Sequence, residues 1–190
     1  SYLLTDWWNV GADLSLYRPL TLATFALEYA VWKVDPRAEH FDNNLLHALD
    51  TALVWVLADM LLAAGGARHG QARLAATAGA ILFAVHPVHV EAVAGIVGRN
   101  ELMMTAGYLA ALIAAIRSAR GADARSRWGW AALGVLPAAL IASGSKEHGA
   151  TLPAAIALLS IEPLLLAGAF VAPLASSPAR TGETIRRWLA

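Results

Sequence analysis

Cysteine is absent from the 190 residues, which excludes a disulfide-stapled scaffold. No charge of either sign is in surplus. Fourteen Lys and Arg meet 14 Asp and Glu, so the basic excess of a nucleic-acid binder is missing. Charge itself is scarce, at 15% of residues against about 25% in a typical soluble domain. Hydrophobic residues reach 58%, in runs too long for intrinsic disorder. A membrane protein or a very apolar helical core remains. The sequence opens without Met and without a charged-then-apolar leader, on SYLLTDWWNVGADLSLYRPL, which reads as the interior of a longer polypeptide.

A spanning helix needs about 20 mostly apolar residues. Five segments approach this, at roughly 43–64, 74–97, 101–117, 128–144 and 150–172. His86, Pro87, His89 and Glu91 interrupt the second, which predicts a span broken near one membrane face. Residues 19–34 carry Glu28 and Lys33 on an otherwise apolar stretch, with Asp35-Pro36 as a stop. This fits a helix lying at the interface. A second interfacial helix is expected after Thr181, around Ile185, Trp188 and Leu189. The reading is therefore all-α: a polytopic helical membrane protein of about five spans plus interfacial helices. Residues 1–172 form part of one membrane domain, and 173–190 a cytoplasmic or interfacial tail.

Five crossings place 65–73, 117–127 and the tail on one side, with nine of the 14 cations and only Asp123 and Glu183 as acids. The positive-inside rule makes that side cytoplasmic. Arg18, Lys33, Arg37, Arg99 and Lys146 fall on the other side, together with most of the carboxylates. Six of the seven Trp residues lie near span ends or interfacial segments, and only Trp55 sits mid-span.

The outward side also collects the polar motifs: Tyr17-Arg18-Pro19, the run from His86 to Glu101, and Ser143 to His148. Cations, imidazoles and carboxylates at one end of a bundle suit a charged headgroup whose lipid tail stays in the bilayer. His86, His89 and Glu91 lack the i, i+4 spacing of a helical zinc site, so no metal is expected. A plainer account lets the histidines cap a broken helix, with Arg99–Glu101 and Lys146–Glu147 as interfacial ion pairs. Within the spans, Asp50, Asp59 and Glu162 are costly unless paired, solvated or functional. Asp50 shares a face with His47.

YRPLT (17–21), NNLLHAL (43–49), LFAVHPVHVEAVAGIVGRNEL (82–102) and SKEHGATLP (145–153) resemble the transmembrane and tetratricopeptide-repeat O-mannosyltransferases. The resemblance covers roughly residues 5–165. It implies a C-class glycosyltransferase fold and transfer of mannose from a polyprenyl-phosphate carrier to Ser or Thr hydroxyls of proteins. The active site then faces away from the cytoplasm, in a bacterial inner membrane or the endoplasmic reticulum. The implied partners are the bilayer, the lipid-linked sugar and the protein acceptor, with no cofactor and no nucleic acid. Arg18, Arg99 and Lys146 are the expected phosphate-binding cations, with Arg99 first because its fork is bidentate. His86 and His89 are donors to phosphate or sugar, while Glu147 belongs to the same binding set. Glu91 and Glu101 are the candidate catalytic carboxylates. The family's first span, its early acidic pair and its tetratricopeptide repeats are not in this sequence, so the main base is expected upstream of Ser1. A conduit relaying protons or ions through Asp50, Asp59 and Glu162, or a C-class enzyme with another sugar or acceptor, are the competing accounts.

Overall fold

Prolines set the first two helices. Pro19 occupies the first turn of α1 (Pro19–Trp32), where the missing N–H costs nothing. Pro36 does the same for α2 (Pro36–Ala64), and the Asp35 side chain caps that helix by accepting from Arg37 N at 2.9 Å. Between them Lys33 turns through the left-handed region at φ 60°. Asp35-Pro36 is thus a stop and a start at once. The structure, a computed structural model, describes residues 18–165, with side chains as far as 159. The expected spans 150–172 and the helix after Thr181 reach beyond those residues.

Every element among the described residues is helical, as the sequence implies. α3 (His69–Val85) stops at His86, a 3-10 turn covers Pro87–His89 and α4 (Val90–Ala94) follows, the stretch Pro87–Ala94 bending from α3 by 46°. The predicted break is there, at the predicted residues. A second 3-10 turn, Ile96–Gly98, leads into α5 (Arg99–Ala119). α6 (Ala124–Trp130) and α7 (Leu136–Ser145) form one continuous rod through a π turn at Ala131–Val135. There Leu136 N–H reaches five residues back to Ala131 O, and the widened turn accommodates Pro137, which has no N–H to give. A 3-10 turn (Glu147–Thr151) and α8 (Leu152–Leu165) follow.

Among the described residues, three helices are long and apolar enough to cross a membrane: Pro36–Ala64, Ile96–Ala119 and Ala124–Ser145. The bent pair of α3 and α4 makes up to four. α2 has 29 residues, about 43 Å of rise, which exceeds a hydrocarbon layer of about 30 Å. Its charged first turns, 36–42, therefore extend past the apolar stretch, and the helix starts before the expected residue 43.

The burial pattern is the inverse of a water-soluble domain. Arg99, Asn43, Thr21, Asp50 and Ser145 are among the largest fully buried side chains, whereas Trp32, Leu74, Leu82, Leu133 and Leu140 lie on the outside. Lipid leaves little hydrophobic drive between helices, so small residues and hydrogen bonds must hold them. α3 meets α2 through Ala72, Ala76 and Ala80, one per turn and all buried. α5 meets α7 at Gly107, where a Cβ would lie 2.6 Å from Ala142 N.

Candidate functional site

The segment from His86 to Gly98 is a series of short helical turns broken at His86 and Gly95, and buried side chains hold it in place. Asn43, on α2, donates through Nδ2 to Gly95 O at 2.9 Å and to Val93 O at 3.4 Å. Its Oδ1 accepts from Arg99 Nε at 3.2 Å. The Arg99 guanidinium then pairs with Glu28 of α1, donates to Glu39 O at 3.4 Å and lies 4.4 Å from the centre of the Phe25 ring. One node thus ties α1, α2 and α5 to that segment. His47 Nε2 meets Ala84 O at 3.0 Å, fastening the end of α3 to α2. His86 Nδ1 accepts from Val88 N at 3.2 Å and caps the break. Gly98 is required by close approach, since a Cβ there would fall 2.1 Å from Ala92 O.

Beside this segment lies a cavity of about 610 Å³. Arg18 and Lys146 bring positive charge to it, Glu91, Glu101 and Asp50 bring carboxylates, and His47 and His89 bring imidazoles. Arg18 holds Glu147 through both oxygens, at 3.1 and 3.0 Å. Lys146 pairs with Glu101. The Arg18 hydrogen bond holds the Glu147 carboxyl below its ordinary range. Burial, then the nearby Arg18 charge, lowers Lys146 from its usual value against the opposing pull of Glu147. His89 packs on Phe83 with ring centres 4.2 Å apart, and Phe83 in turn stacks with His47.

Of the residues singled out in the sequence, Arg18, His89, Glu91, Glu101 and Lys146 converge on this cavity. Arg99 does not. It is 2% exposed, its guanidinium is taken up by Glu28 and Glu39, and it does not line the cavity, which it supports from behind. His86 is exposed beside the cavity without lining it, and Glu147 acts through Arg18. The ion pairs also differ from the expected ones. Arg99 pairs with Glu28 in place of Glu101, and Lys146 with Glu101 in place of Glu147. Neighbours one or two positions apart project in different directions and do not face each other. Glu28, read as a polar interruption of an interfacial helix, is buried. Asn43 went unremarked, although it precedes His47 and Asp50 at the spacing of one helix face. Asp59 lies outside the cavity, and the side chain of Glu162 lies outside the described residues. Among the described residues no three His, Asp or Glu side chains group to hold a metal.

Several curated proteins are similar to this chain. Protein O-mannosyl-transferase Tmtc3 of Drosophila melanogaster is 37% identical over 168 residues, covering 78% of this chain and 18% of that protein. Protein O-mannosyl-transferase TMTC3 of Homo sapiens is 32% identical over 170 residues, 90% of this chain and 17% of that protein. Human protein O-mannosyl-transferase TMTC2 is 37% identical over 150 residues, 76% of this chain and 16% of that protein. The chain thus spans 16–18% of the length of these relatives. No protein-family model matches it, and no solved structure does.

Proposed function

We propose that this chain, a member of the protein O-mannosyltransferase family of these relatives, is part of a multi-pass membrane enzyme that moves mannose from a polyprenyl-phosphate carrier to Ser or Thr hydroxyls of proteins. The observation that carries this reading is the cavity, where Arg18 and Lys146, 128 positions apart in sequence, meet Glu91 and Glu101 at the end of the helices. In the reaction the acceptor oxygen bonds to the anomeric carbon, the bond from that carbon to the phosphate oxygen breaks, and the carrier phosphate leaves with the electron pair. Lys146 and Arg18 stabilise the negative charge developing on it. Glu101 and Glu147 hold those cations in place. Glu91 is the carboxylate of this stretch set to orient the acceptor or receive its proton, alongside a main base from the acidic pair of the family's first outer loop. The excess of cations on the opposite side of the spans supports a non-cytoplasmic cavity.

The test is transfer from polyprenyl-phosphate-mannose to a Ser/Thr peptide by the full-length protein. Losing a charge-assisted phosphate contact at Lys146→Ala or Arg18→Ala costs roughly 1.5–3 kcal/mol, about ten- to a hundredfold in rate. Wild-type rates in both variants, with normal folding, would refute the assignment.

A further inference from the structure

Four buried side-chain polar atoms have no hydrogen-bond partner among the described residues, and three of them belong to residues lining the cavity of the candidate site: Asp50 Oδ1, Asp50 Oδ2 and His47 Nδ1. His47 Nε2 faces Ala84 O, a carbonyl that can only accept, so Nε2 carries a proton there and Nδ1 is left without a partner among the described residues. Asp50 is 1% exposed, and neither oxygen receives a donor. An unpaired carboxylate inside a membrane helix is costly, and such groups mark sites that a ligand satisfies. Position adds a polarity. Arg18 and Lys146 sit outside the spans, at the start of α1 and the end of α7, whereas Asp50 lies about two turns, or 10 Å, further along α2 than Asn43. The cavity therefore has cations at one end and the unpartnered atoms of Asp50 and His47 further into the helices.

We propose that Asp50 and His47 form the sugar subsite of this cavity, in which the Asp50 carboxylate accepts from two adjacent hydroxyls of the hexose and His47 Nδ1 from a third donor. A phosphosugar matches this arrangement, with phosphate toward Arg18 and Lys146 and hydroxyls toward the unpartnered atoms of Asp50 and His47. The inference rests on the transferase reading above and deepens it.

The experiment measures binding to the full-length protein in nanodiscs. The probes are polyprenyl-phosphate-mannose, sugarless polyprenyl phosphate, and a series of mannosyl donors each lacking one hydroxyl. In the wild-type protein, donors lacking either of two adjacent hydroxyls should bind roughly ten- to a hundredfold more weakly. Asp50→Asn should weaken the parent donor by a similar factor, level the differences across the deoxy series, and leave sugarless carrier binding unchanged. The deoxy series on the wild-type protein needs no variant to fold. Equal binding of every deoxy donor to the wild-type protein overturns the proposal. So does an Asp50→Asn protein that loses sugarless carrier as strongly as the mannosyl donor, or Asp50-dependent binding of Na⁺ or K⁺ with no sugar effect. If the full-length protein transfers no mannose and binds the mannosyl donor no better than the sugarless carrier, the transferase reading falls. If transfer proceeds and Asp50→Asn handles all donors like the wild type, only the subsite falls.

Discussion

Replacing Arg99 with alanine should destabilise the protein severely, and the cause lies in its neighbours more than in its own lost contacts. Arg99 and Glu28 have side chains 2% and 5% exposed, and removing the cation leaves a buried carboxylate with no counter-charge. Breaking a buried pair from one side costs about 3–5 kcal/mol. Asn43 loses the donor to its Oδ1 as well, which adds about 1 kcal/mol. Glu28→Ala should cost a similar amount for the mirror reason. The double variant Arg99→Met with Glu28→Leu tests the argument, because it removes both charges and refills the space. Exchanging a buried pair for apolar residues is often neutral or stabilising, so the double variant should be at least about 2 kcal/mol more stable than the two single losses predict together. Reversible denaturation in mixed micelles, followed by the protein's own tryptophans, gives the three values. Strict additivity, or single variants within about 0.5 kcal/mol of the wild type, would refute the node as a coupled unit. Mannosyl transfer by a well-folded double variant would further establish that Arg99 is not a phosphate ligand.

Gly98→Ala should collapse the turn into α5, because the new methyl would meet Ala92 O at 2.1 Å, backbone against backbone with nothing able to swing away; lost transfer with faster proteolysis between 86 and 99 is the expected readout. These 190 residues contain no cysteine, so single cysteines at the exposed Ala122 and His148 can report topology with an impermeant maleimide in intact cells. Labelling at 148 and not at 122 is expected, and the reverse would invert the orientation. For Glu147, the folded pKa lies below the unfolded one, so the stability it contributes is complete above the ordinary carboxylate range and is lost as pH falls through the folded value. The effect should be small, since its side chain is 46% exposed. Glu147→Gln should lose this acid limb in a thermal-denaturation series across pH.

What the sequence made legible was whatever depends on neighbours along the chain. His86-Pro87 within an apolar run implies a break, because proline cannot continue the ladder, and α3 ends there. The face shared by His47 and Asp50 follows from helical spacing and leads to the cavity. What stayed hidden depends on which helix faces meet. Arg99 stands 71 residues from Glu28, and nothing in either local pattern joins them. A cation within a polar motif therefore reads as a ligand although its charge is already matched. The start of α2 was hidden for a related reason: 36–42 is too charged to count as span, yet a helix continues into water without penalty.

The Arg18–Glu147 clamp has a consequence for biogenesis. Its two halves are 129 residues apart, and at a synthesis rate of about 5–20 residues per second Arg18 leaves the ribosome roughly 6–26 s before its partner. α1 is already made in that interval, but neither this clamp nor the bond from Thr21 to Ser145 O can yet fix it. The cation end of the cavity is thus completed only when the end of α7 and Glu147 arrive, and a nascent chain halted before that point carries α1 without its clamp.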